Sequence, residues 1–320
     1  MLHKFAAALL VLTAAAPLAV QEWTVPWQGT RPRDPYVAPN GLVWFVGQSG
    51  NYIARLDPKT GKFERYEIDE GTHPHNLVVA PDGMVWFTGN RNARLVKLDP
   101  KTRKLTTYRM PDGKAEDPHT MVLDQAGNAW FTAQNAAAIG RRDAKSGQIR
   151  LWDMGAGTRP YGIELDAEQR PWVVLFGTNA IATIDPATMK ERRFELPEGA
   201  RPRRIAVTKD GIWYGDYARG YLGRLDPATG KVTEVAMPAG ASSLPYAMAL
   251  DDKGKIWLAE TGVAPNLLVA FDPGAGRFTD SVATEGGDEP NTIRHMVFHK
   301  PTREIWYGTD RNTIGRLKLP

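Results

Sequence analysis

Seven residues able to bind or move charge recur along this 320-residue chain: Arg33, His75, His119, Tyr161, Arg203, Tyr246 and His295. Each stands ten or eleven positions ahead of a tryptophan (Trp44, Trp86, Trp130, Trp172, Trp213, Trp257 and Trp306). Guanidinium, imidazole and phenol groups brought to one place would hold an anionic or carbonyl-rich molecule and could pass a proton. Flanking positions add Arg31, His73, Arg159, Arg201, Arg204 and Arg294. A second set lies three residues past each tryptophan: Gly47, Gly89, Ala133, Leu175, Asp216, Glu260 and Thr309. Asp216 and Glu260 stand out because they fall at equivalent positions in consecutive repeats. Together they could hold a hard divalent cation such as Mg²⁺. They could equally pair with arginines such as Arg203 or Arg294.

The elements that must position these residues follow from the repeat. The tryptophans are 42, 44, 42, 41, 44 and 49 residues apart, a period expected of propeller blades. One unit runs from Pro74 to Tyr108 and reads as four short strands joined by turns such as Pro81-Asp82-Gly83. Asp57-Pro58-Lys59-Thr60-Gly61 and Asp226-Pro227-Ala228-Thr229-Gly230 are turns of a second type, in which Asp and Thr side chains bond the nearby backbone. The last repeat stops at Pro320 before a fourth strand, whereas Glu22-Trp23-Thr24-Val25-Pro26 resembles a fourth strand lacking its other three. The expectation is an all-β, seven-bladed propeller of four-stranded blades, closed by the N-terminal strand completing the last blade. The tryptophans, repeated in every blade, are expected to pack between sheets. The polar ring, which varies from blade to blade, is expected at one mouth of the central channel.

Residues 1–20 read as a signal peptide, with Lys4 ahead of an apolar run from Phe5 to Ala16 that is too short for a membrane span. Residues 21–320 are then one domain, exported to the periplasm or beyond and monomeric. The chain has no cysteine, which excludes disulfides and thiolate chemistry. A net charge of +4 gives no reason to expect nucleic acid. No Gly-x-Ser-x-Gly elbow and no phosphate-binding glycine loop occurs, so nucleophilic catalysis is not supported, and no organic cofactor is expected.

The runs Pro74-His75, Pro118-His119, Pro160-Tyr161-Gly162-Ile163, Trp86-Phe87-Thr88, Trp130-Phe131-Thr132 and Ile314-Gly315-Arg316-Leu317 resemble the streptogramin B lyase (virginiamycin B lyase) propellers over nearly all of residues 22–320. The resemblance implies a Mg²⁺-dependent carbon–oxygen lyase that opens a cyclic depsipeptide by elimination at its ester. It implies two ring histidines on the last two blades and a glutamate three past the final tryptophan. Tyr246, His295 and Thr309 stand at the matching positions, so only His295 keeps the residue type. A site shifted by one blade would use His295 as base beside Tyr246, with Glu260 and Asp216 holding Mg²⁺. Arg33, His75, His119, Tyr161, Arg203 and Arg294 would then contact the substrate.

Two further readings fit the same residues. The basic mouth could bind a small molecule or a protein tail without chemistry. More distantly, Glu260, Asp216 and Asn291 could form the metal site of a propeller lactonase. The segment Asp280 to Asn291, longer than its counterparts and carrying Glu285, Asp288 and Glu289, would be an acidic flap over the mouth or a tolerated insertion.

Overall fold

A computed structural model describes residues 18–111, 114–288 and 291–320. Most of the expected signal peptide lies outside them. Twenty-eight strands form seven antiparallel four-stranded sheets, each with its strands in sequence order except the last. The blades span residues 32–67, 74–109, 118–153, 160–195, 202–236, 245–283 and 293–318. The seventh is completed by Ala19–Thr24, which pairs with Thr313–Lys318 from Ala19 opposite Lys318 to Thr24 opposite Thr313. This N-terminal strand satisfies an edge that would otherwise stay open. It begins two residues before the expected domain start. Among the described residues no helix is long and apolar enough to cross a membrane.

The tryptophans pack as the repeat implied. All seven are at most 7% exposed, and five pack on an aromatic residue of their own blade's outer strand, four of them stacked, as Trp130 on Trp152 and Trp306 on Trp23, and Trp44 tilted on Tyr66. Their indole nitrogens donate to carboxylates of the adjoining turn in blades three, four, six and seven, at Asp124, Asp166, Asp251 and Glu304. The Asp-Pro turns close as expected, with Asp57 accepting from the Lys59 amide and the Thr60 hydroxyl.

A feature not visible as a repeat motif decides where the polar residues go. Every inner strand shifts register just after its first residues: Pro74 faces Gly89 and Leu77 faces Phe87, so three steps on one strand match two on the other. The same irregularity occurs in all seven blades. A bulge of this kind re-aims side chains and breaks the strict in–out alternation. The two residues after the first proline are therefore free to be polar together, as in Arg33-Asp34, His75-Asn76, His119-Thr120 and Arg203-Arg204.

Candidate functional site

The N-terminal ends of the inner strands bring Arg33, His75, His119, Tyr161, Arg203 and Tyr246 around one end of the channel axis, as the spacing predicted. The seventh position departs from it. Ile293 faces Thr309 as Pro74 faces Gly89, so the ring residue of the last blade is Arg294. His295 falls one step further along, level with Asn76 and Arg204. The cause is a turn between Ile293–His299 and Glu304–Thr309 that moves the count back from Trp306 by one.

The ring is a packed layer. Arg33, His75, His119, Tyr161 and Tyr246 are only 3–6% exposed. The His75 and His119 rings lie 3.6 Å apart between centroids, and His119 lies 4.3 Å from Tyr161. The Tyr161 and Tyr246 hydroxyls share a hydrogen bond across 85 residues of sequence. Arg203 inserts its guanidinium among Tyr217, Phe176 and Tyr246, at 4.0, 4.1 and 4.4 Å from their ring centroids. Phe176 and Tyr217 each stand four residues past a blade tryptophan, a rim position that sequence reasoning missed. Gln48 and Asp310 occupy the same position in their blades and hold Arg33 at 3.2 Å and Arg294 at 2.6 Å.

A second layer lies directly beneath. Asp34 accepts from Arg33 Nε at 3.0 Å and from Asn76 Nδ2 at 2.8 Å. Arg204 Nη1 donates to Thr120 Oγ1 at 3.2 Å, and its Nε donates to the Arg294 carbonyl at 3.0 Å. Arg33 and Arg294 have carboxylate partners in Asp34 and Asp310. Neither Arg203 nor Arg204 pairs with a carboxylate among the described residues. Arg33 Nη2, Arg203 Nε, Arg204 Nη2, His75 Nδ1 and His295 Nδ1 are all buried without a hydrogen-bond partner. Leaving such groups unmade is costly.

The ionisation states agree with an excess of positive charge. Burial would raise Asp34, but Arg33, His295, Arg204 and the Asn76 amide together hold it well below the usual carboxylate range. Burial pushes His75 and His119 well below an ordinary imidazole, and the nearby arginines push the same way. Burial likewise lowers His295 to about 4; Asp34 opposes, while Arg204 and Arg33 assist. All three imidazoles are therefore neutral near pH 7. Burial also opposes ionisation of Tyr246, yet Arg203, Arg33, Arg294 and Arg204 outweigh it and draw that phenol down. Its partner Tyr161 is pushed up by burial and by Tyr246.

The carboxylates expected to share a cation serve their own loops. Asp216 accepts from the Arg201, Ala218 and Arg219 amides and pairs with Arg219 Nε at 2.5 Å. The arginine that neutralises it is thus neither Arg203 nor Arg294. Glu260 accepts from the Ala239 amide and keeps one unpartnered oxygen, Oε2. Asn291 accepts from the Thr292 amide, and the Thr309 hydroxyl bonds that of Thr313. Among the described residues no group of three or more His, Cys, Asp or Glu side chains could hold a metal. One free carboxylate oxygen is a poor donor set for Mg²⁺, which takes six oxygens. In the described part of the segment expected as flap or insertion, Glu285 faces Glu22 and Tyr307 of the closing blade, and Gly286 packs on Arg311.

Below the two polar layers the channel opens to the opposite face through a cavity of about 780 Å³. Its walls come from all seven inner strands and are mostly apolar, with Glu164 on one side.

The profile of the virginiamycin B lyase family matches residues 18–317. A streptogramin B lyase structure superposes with a TM-score of 0.84 at 24% identity, covering 95% of this chain and 98% of that one. Virginiamycin B lyase of Staphylococcus aureus gives 0.84 at 23% identity over 95% and 100%, and its catalytically inactive variant with quinupristin gives 0.84 at 24% over the same shares. Hydrazine synthase of Kuenenia stuttgartiensis follows at 0.74 and 16%, covering 92% and 97%. No curated protein sequence matches the chain.

Proposed function

Because the chain belongs to the virginiamycin B lyase family while its axial side chains depart from the residues that family resemblance implies, we propose that it is an exported, monomeric propeller that binds a small carboxylate-bearing molecule at the basic ring. The observation that carries this reading is the set of buried guanidinium N–H groups on Arg33, Arg203 and Arg204 that have no acceptor. A carboxylate seated on the axis would satisfy them with charge-assisted bonds and offset the buried positive charge. The stacked His75, His119 and Tyr161 rings offer a flat wall for the ligand's body.

Mg²⁺-dependent elimination finds less support. At the structural register the two expected histidine positions hold Tyr246 and Arg294, and the expected glutamate is Thr309. The shifted arrangement fares no better, since Asp216 is neutralised by Arg219. Calorimetric titration with succinate tests the binding reading. Saturable binding that is lost in Arg33→Met and Arg204→Met is expected, and no binding by the wild type contradicts it. Incubation with a streptogramin B and Mg²⁺ should leave the depsipeptide ring intact; Mg²⁺-dependent ring opening would replace this reading with the lyase one.

A further inference from the structure

We propose that the far half of the channel is a second ligand site, for an organic ammonium ion with an apolar body, its charge held between the Glu164 carboxylate and the Tyr36 ring. The argument begins with broken symmetry. In each blade one inner-strand residue faces the blade tryptophan across the sheet, and in six blades it is Tyr36, Val78, Val122, Ala206, Ala249 or Val297. In blade four it is Glu164, opposite Trp172. All seven line the cavity of about 780 Å³. A scaffold needs no carboxylate in that layer, and none of the six apolar equivalents suggests one.

Glu164 is also unoccupied. It makes no hydrogen bond or ion pair among the described residues, and its side chain is exposed to the channel within the enclosing cavity walls. That enclosure pushes its carboxyl up to about 7, with Arg204 pulling the other way. Tyr36 lines the same cavity at the equivalent position of blade one; burial, and secondarily the Glu164 charge, disfavour ionisation of its phenol. A carboxylate facing an aromatic ring, with apolar walls around both, is the environment that stabilises an alkylammonium by ion pairing and cation–π contact. Ala206 and Ala249 leave room beside Glu164, and the volume lies in the range of small-molecule sites. The anion site and this one occupy opposite ends of the axis, so either can exist without the other.

Calorimetric titration at pH 8 with hexyltrimethylammonium, and with 1-hexanol as its uncharged counterpart, tests the proposal. The ammonium should bind more tightly than the alcohol. Glu164→Gln should weaken it about tenfold and Tyr36→Leu several-fold, while both variants bind the alcohol as the wild type does. Succinate titration of Glu164→Gln reports separately on the other end of the channel. Lowering the pH from 8 to 6 should weaken ammonium binding in the wild type and not in Glu164→Gln. Of the groups facing Glu164, burial raises the Tyr36 phenol and lowers the His295 imidazole to about 4, so neither changes charge between pH 6 and 8, and Arg204 is the nearby guanidinium. Asp124 and His299 also line this end of the channel, and a His299→Gln background removes the imidazole. Equal affinity for ammonium and alcohol, or unchanged ammonium affinity in Glu164→Gln, overturns the proposal.

Discussion

Replacing Arg204 by methionine should separate binding from stability. Arg204 is 4% exposed and makes two hydrogen bonds, to Thr120 Oγ1 at 3.2 Å and the Arg294 carbonyl at 3.0 Å. Each such bond from a charged donor contributes about 1.5–3 kcal/mol. Against them stands a desolvation cost of several kcal/mol for a buried guanidinium, here without a carboxylate partner and close to Arg33. The two sides nearly cancel, so denaturant unfolding of Arg204→Met should differ from wild type by less than about 2 kcal/mol. Methionine fills similar volume without charge. Affinity for succinate should behave otherwise, because truncating one member of a buried charge pair typically costs about 2–4 kcal/mol, or roughly 30- to 1,000-fold. The control is Arg109→Met, on the exposed outer strand of blade two. Calorimetry on the three proteins decides the matter. Succinate binding within threefold of wild type in Arg204→Met, or equal weakening in Arg109→Met, refutes the reasoning.

Three other outcomes follow from the same geometry. Unfolded histidine takes up a proton near 6.5 and folded His295 only near 4, so the unfolded state binds more protons in that window and stability falls as pH drops through it, by about 3 kcal/mol for this residue; His295→Gln should remove that share in denaturant melts at pH 7 and pH 4, and an unchanged slope counts against the buried neutral imidazole. Trp23→Ala removes the ring stacked on Trp306 at 5.5 Å, and chemical unfolding should show a loss of about 3 kcal/mol, with a loss under 1 arguing against the closing strand. A Cβ on Gly162 would lie 2.7 Å from the Arg203 carbonyl, so Gly162→Ala should displace the start of blade five, destabilise by about 1–3 kcal/mol and weaken succinate binding in the same sample.

The tryptophan period made the blades and the seam legible, because core residues repeat wherever the scaffold does. Register was less accessible. Counting back from Trp306 placed His295 in the ring, and only the pairing of Ile293 with Thr309 reveals that Arg294 belongs there. The bulges hid the second layer for a related reason: strand alternation sends adjacent residues to opposite faces, so Asp34 did not read as axial and Arg204 read only as a residue flanking the ring. The polar pairs after the inner-strand prolines carried that signal. Asp216 was legible as an unusual residue but not as the partner of Arg219, three positions on. Glu164 was readable too, as the one acid among the residues opposite the tryptophans, yet that layer becomes defined only when the strands are paired.

The central claim is that an anion belongs on the axis between the polar layers. Crystals grown with selenate offer the most direct test, because anomalous scattering locates selenium without reference to the protein. The account predicts a peak within hydrogen-bonding distance of Arg33 Nη2 and Arg204 Nη2, absent in crystals of Arg204→Met. Selenium found only on exposed arginines such as Arg109, with the axis empty, would contradict it.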